Sequence, residues 1–197
     1  MTSRFWRAGS NNSISPSCNV LADVRGGGSS TVWNSSGGLP ASSADYALSN
    51  ANLTATRSVN TGNVTVFGSA GHSGTGDWWF DITISGTFNF TVGVANASHA
   101  NNTFVGGDAN SVGYNAADGQ IYQSITGIGA GAAYNSANTI RVRVKNNKLY
   151  FAKDGVYQNG GDPVAQTGGI DISGLGVVFP ACSTDTSDAF TANFANW

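Results

Sequence analysis

No glutamate occurs among the 197 residues; all eleven acidic side chains are aspartate. Lysine and arginine together number nine, and charged residues make up 10% of the chain, against about 25% in an ordinary globular domain. Glutamate, lysine and arginine favour helix, whereas aspartate, asparagine and glycine favour turns. A chain that drops the first group and keeps 27 glycines reads as strands joined by tight turns. The missing glutamates also bear on chemistry. Many sugar-cleaving sandwiches work through two acidic residues, often glutamates, one held protonated and one ionised. That pair is absent in its usual form, which tilts the reading towards binding or structure and away from glycan hydrolysis.

Other absences narrow the field. A net charge of −2 leaves no electrostatic footprint for nucleic acid or an anionic membrane. No apolar run approaches the roughly 18 residues of a membrane helix. The opening MTSRFWRAGSNNSIS lacks the apolar stretch of a signal peptide, so the expectation is a soluble protein not exported by the ordinary route. Cys18 and Cys182 stand near opposite ends; a bridge between them and two buried small hydrophobes both fit. Two cysteines this far apart and two distant histidines, His72 and His99, have no zinc-site spacing. Neither a metal nor a cofactor is expected. Both histidines lie in polar sequence with no Gly-x-Ser-x-Gly elbow nearby, and they read as exposed loop residues without a role. Gly127, Gly129, Gly131 and Ala132 fit a dinucleotide fingerprint in spacing, but loop and strand sequence follows where the motif needs a helix.

What is present is period-2 alternation. It runs through Val64 and Val66, then through Trp78, Phe80, Ile82 and Ile84, then through Phe88, Phe90, Val92 and Val94. The Ser-Gly-Thr between the last two runs predicts a hairpin. Ile140, Val142 and Val144 alternate with Arg141, Arg143 and Lys145, which places three cations on the outer face of one strand. Asn146-Asn147 and Asp154-Gly155 predict tight turns. Leu175, Val177 and Phe179 predict a strand ending before Pro180, and Phe190, Ala192 and Phe194 a last one. Phe80, Phe88, Phe90 and Phe194 fall on the inward phase, while Trp79 falls out of phase. No window carries a helical pattern. At this length one all-β domain is expected, with about 70% of the unfolded surface buried. Residues 1–40 read as an N-terminal extension, a docking arm or an edge packed on the sandwich, and residues 41–197 as an antiparallel sandwich.

The order of the pieces resembles the SPRY family, a concanavalin A-like jelly-roll β-sandwich. The likeness rests on ALSNANLTATR (47–57), GDWWFDITI (76–84), TVGVANAS (91–98), DANSVGYNAADGQIY (108–122), NTIRVRVKNNKLYFAKDGV (138–156) and the closing GLGVVFPACS and FTANF. It covers roughly Tyr46 to Phe194, with Asp81 where the family usually carries glutamate. The opening and the Asp-Ala-Asn-Ser-x-Gly-Tyr loop are similar to versions found in tailed-phage virion proteins. That resemblance implies a non-enzymatic component of a virion surface (head or tail fibre, spike or decoration), a homo-oligomer with other virion proteins as partners. No ligand residue carries over by motif.

The site candidates come from chemistry instead. A flat ring beside amides and carboxylates grips a neutral sugar, the ring covering its C–H face and the polar groups taking its hydroxyls. Trp33, Tyr114, Tyr122 and Tyr157, with Asp108, Asn110, Asn115 and Asp118, supply such groups in or near loops. They are the expected contacts to host surface polysaccharide. The same Asp and Asn residues lack the ordered spacing of a calcium loop, and turn formation accounts for them more simply. Phe5, Trp6 and Arg7 are the expected docking contacts of the extension. A structural decoration or fibre-base protein that binds only other virion proteins is the alternative function, and a glycan hydrolase stands third.

Overall fold

A computed structural model describes residues 31–86 and 89–197. Along the chain the first strands are β1 (Tyr46–Ser49), β2 (Thr54–Arg57), β3 (Val64–Phe67), β4 (His72–Ser73) and β5 (Asp77–Ser85). Then come β6 (Phe90–Ala95), β7 (Ser111–Asn115), β8 (Gln120–Gln123), β9 (Thr126–Ala130) and β10 (Thr139–Lys145). The last are β11 (Lys148–Lys153), β12 (Val156–Tyr157), β13 (Ile170–Asp171), β14 (Val177–Thr184) and β15 (Ala189–Asn196). Among the described residues the helical structure is one 3-10 turn, Ser173–Leu175.

The strands form two antiparallel sheets. One has eight strands, ordered β1-β2-β15-β5-β10-β11-β12 with β13 also on β11; the other has seven, ordered β3-β14-β6-β7-β8-β9 with β4 also on β14. Their inner faces carry Phe80, Ile82 and Val142 of the alternating runs with Phe151 from the first, and Val92 of those runs with Val112, Ile121 and Cys182 from the second. Removing a side chain of this size from water contributes about 1.5–3 kcal/mol. Phe190 and Phe194 of β15 complete the core. Cys182 is a buried thiol, whereas Cys18 and Phe88 lie outside the described residues.

The predicted turns are present. Asn146 and Asn147 have φ of 50° and 61°, and Lys145 pairs with Lys148 across them. Two left-handed residues in a two-residue loop match the twist of the flanking strands, and asparagine tolerates that conformation. Asp154 and Gly155 repeat the pattern, with φ of 49° and 82°, between β11 and β12.

Three expectations need correction. The β5–β6 connection is not a hairpin, because β5 pairs with β10 and β15 while β6 pairs with β14 and β7. The chain crosses from one sheet to the other there, so the two strands feed one core from opposite sides; period-2 alternation is the same in both arrangements. The strand through Val177 does not stop at Pro180. It runs to Thr184, and Pro180 falls between the segment paired with β4 and the segment paired with β3. Leu175 belongs to the 3-10 turn, so the inward phase starts at Val178, and Val177 is half exposed. Lastly, Trp33 lies inside the sandwich, fully buried, bridged to Gly68 and edge-on to Phe194 at 5.1 Å. Residues 31–40 are thus the packed edge rather than a free arm, and the first 30 residues lie outside the described part.

Candidate functional site

On the outer face of the seven-stranded sheet, Thr91, Asn115 and Tyr122 are out of phase with the core residues Val92, Tyr114 and Ile121. The segment 96–110, between β6 and β7, folds back over this face. Glycine makes that possible: a Cβ on Gly113 would stand 2.1 Å from the Val105 carbonyl oxygen. Val105 N–H donates to Ser183 Oγ at 2.9 Å, Thr65 N–H to the Asn101 carbonyl at 2.8 Å, and Gly106 N–H to Ser111 Oγ at 2.7 Å. Val105 also joins Phe67, Ala95 and Ala181 in a small second core. The pinned loop carries Phe104 to the rim of a cleft of about 190 Å³, lined further by Asn63, Asn89, Thr91, Asn115, Asp118 and Tyr122.

The cleft joins two rings to a set of amides and one carboxylate. Phe104 meets the Tyr122 ring edge-on, with centroids 5.9 Å apart at 87°. The Tyr122 hydroxyl donates to Asp118 Oδ2 at 2.6 Å, and that hydrogen bond, with a little burial, raises the phenol above its usual range. Asp118 Oδ1 accepts from the Gln120 N–H at 2.9 Å. Asn115 Nδ2 donates to Thr91 Oγ1 at 3.2 Å, and Asn89 Nδ2 to Asp185 Oδ2 at 2.5 Å. The Asn63 amide makes no side-chain hydrogen bond to a described residue. Among the described residues no lysine or arginine lines the cleft. A larger hollow of about 420 Å³ elsewhere is lined mainly by aliphatic groups and adjoins Thr31, the first described residue.

Of the sequence candidates, Asn115, Asp118 and Tyr122 come together here. Trp33 does not: its indole N–H donates to the Phe190 carbonyl at 3.2 Å inside the core. Tyr114 is fully buried on β7 rather than in a loop, its hydroxyl donates to the Ala132 carbonyl, and burial pushes its phenol up to about 12. Neither ring can meet a ligand. Asp108 and Asn110 sit in the pinned loop and serve it. Asp108 accepts from His99 Nδ1, the Asn110 N–H and Ser111 Oγ at 2.9, 3.0 and 3.0 Å, and Asn110 Nδ2 donates to the Ser98 carbonyl. Tyr157 lies on the other sheet, where its hydroxyl accepts from Arg143 at 3.2 Å. Phe5, Trp6 and Arg7 lie outside the described residues. The sequence reading missed Asn63, Asn89, Thr91 and Phe104. Thr91 and Asn89 were polar positions within an alternating strand, but nothing local announced that Phe104 would fold over them.

The histidines are not idle loop residues. His72 stacks on Trp78 at 4.2 Å and meets Trp197 edge-on. His99 is buried beneath the loop, with Nδ1 on Asp108 and Nε2 3.2 Å from Thr65 Oγ1. Carboxylate, imidazole and hydroxyl in a row have the order of a nucleophile relay. Here the hydroxyl is fully buried and also donates to the Thr103 carbonyl at 2.7 Å, so the row works as a structural clamp. The three cations of β10 are paired across the sheet: Arg141 grips Asp81 at 2.7 and 2.9 Å, Arg143 grips Asp77 at 2.7 and 2.6 Å, and Lys145 Nζ stands 3.5 Å from the same Asp77. Both guanidinium groups flank Trp79, 6.0 and 5.4 Å from its ring centroid. Among the described residues no group of three or more His, Cys or Asp side chains is placed to hold a metal ion.

No protein-family model matches the sequence, and no curated protein does. Solved structures do match by fold. The SPRY domain of human HERC1 aligns with a TM-score of 0.61 at 13% identity, covering 75% of this chain and 91% of that one. A second human SPRY domain aligns with a TM-score of 0.57 at 18% identity, covering 78% and 97%. Two antiparallel sheets in the order given above, and these neighbours, identify the fold as a SPRY-like jelly-roll sandwich.

Proposed function

We propose that this protein is a non-enzymatic, lectin-like module that holds host surface polysaccharide, presented on the surface of a virion. The observation that carries the binding reading is the cleft over Tyr122. Its ring, the Phe104 ring, three asparagine amides, a threonine hydroxyl and one carboxylate converge on a space of about 190 Å³, which is the chemistry a sugar's hydroxyls and C–H faces require. The virion setting is supported by the sequence resemblance alone. The non-enzymatic reading is supported by Asp118 being the one carboxylate among the described residues that line the cleft, where glycoside cleavage commonly uses two flanking the scissile bond.

The test is calorimetric titration of the purified protein with a panel of bacterial surface polysaccharides. A saturable signal with at least one polymer is expected. Tyr122→Ala should weaken it by about tenfold or more, the loss typical of an aromatic anchor, with the melting temperature little changed. A flat response from the unaltered protein across the panel would sink the proposal and leave a purely structural virion component as the reading to pursue.

A further inference from the structure

We infer that the cleft takes a single neutral monosaccharide unit, a chain end or a branch, and not the interior of a polymer or an acidic sugar. The inference rests on the sugar-binding reading and deepens it. Size sets the first half. At about 190 Å³ the hollow is small, which suits one sugar ring seated at a time. Pockets for drug-sized ligands run to about 300–1,000 Å³. The rim is also held in place: Phe104 belongs to a loop tied down at Asn101, Val105 and Gly106, and Asp118 sits in the β7–β8 turn with its carboxylate on Tyr122.

Charge sets the second half. Among the described residues Asp118 is the one carboxylate lining the cleft, and a second, Asp185, lies behind Asn89 at 2.5 Å. With no lysine or arginine among the described lining residues to answer it, a uronic or sialic acid would bring like charge against Asp118. Neutral hydroxyls meet what they need. The Asn63 amide offers both donor and acceptor, Asn89 Oδ1 accepts, and Thr91 Oγ1, already accepting from Asn115, has its own hydrogen to give. A one-unit site is weak by itself, so many copies on one particle would supply the strength through avidity.

The experiment uses the full chain and calorimetry with methyl glycosides of neutral hexoses and N-acetylhexosamines, methyl uronides, and oligosaccharides of two to four units built from the best monosaccharide. The expected result is binding of a neutral methyl glycoside, with the oligosaccharides within about threefold of it and uronides about tenfold weaker or worse. Asp118→Asn, which keeps an acceptor for Tyr122, should narrow the gap between uronide and neutral glycoside, while Asn63→Ala weakens the neutral one. Affinity that climbs more than about tenfold with chain length, or a preference for uronides, would overturn this inference and leave the lectin reading standing. No binding by any saccharide would overturn both.

Discussion

His99 couples a loop to a sheet through its two ring nitrogens, one on Asp108 and one beside Thr65. Burial pushes the imidazole below its usual range, and the Asp108 carboxylate only partly restores it. For Asp108 itself burial acts upward, but the His99 hydrogen bond and charge, with the Ala100 and Asn110 N–H groups, outweigh it and hold the carboxyl low. The signs agree. A depressed histidine means that the unfolded chain takes up the proton first, so its contribution to stability is present above the ordinary value of 6.5 and lost as pH falls below it. The aspartate's contribution is lost later, as pH falls below 3.8. The melting temperature should therefore drop between pH 7 and pH 5, and His99→Gln should flatten much of that step. His72, also depressed by burial, adds to it in the same direction, and His72→Gln measures its share. An unaltered protein whose melting temperature is level from pH 7 to pH 5 would contradict this account. None of it was legible locally, since the polar residues around His99 read as loop and only the fold brings Thr65 to it.

At the level of strands and turns, the residues that spoke clearly were those whose meaning is local. Asn146-Asn147 and Asp154-Gly155 turn the chain because their backbones must be left-handed. Gly155 isolates that effect: φ is +82° and a Cβ there would meet nothing within 4 Å. Gly155→Ala should cost about 1–2 kcal/mol from backbone conformation alone, read as a shift of the denaturation midpoint; a neutral result would mean the turn changes type. Arg141 opposite Asp81 was likewise half visible, since alternation put the arginine on the outer face and only register supplied its partner. The pair is partly exposed, so it contributes about 0–1 kcal/mol and serves more to frame Trp79. What alternation does not encode is the neighbour. It marked both β5 and β6 as strands, yet was silent on their lying in different sheets, and it marked Tyr114 as a ring near loop sequence when its phase had already turned inward.

Over the whole molecule, the order of motifs carried the fold, while the site needed three distant segments, 63–91, 104 and 115–122, to converge on one sheet face. The sequence left the segment before Pro40 open, as a docking arm or a packed edge. Trp33, set among glycine and serine, packs against Phe194 of the last strand and donates to Phe190. Trp33→Ala should cost about 3–5 kcal/mol, as other buried aromatics do; a loss under about 1 kcal/mol, the size of an ordinary surface change, would return residues 31–40 to a detachable arm. The same last strand has a consequence for biosynthesis. β15 lies between β2 and β5, and β14 lies between β3 and β6. Until those two strands leave the ribosome, each sheet is split down its middle, with β2, β3, β5 and β6 all presenting raw edges that invite pairing with a neighbouring nascent chain. Assembly of this sandwich is therefore completed only after the end of β15 has emerged, and a ribosome stalled upstream of β14 should hold a chain that chaperones bind and proteases cut.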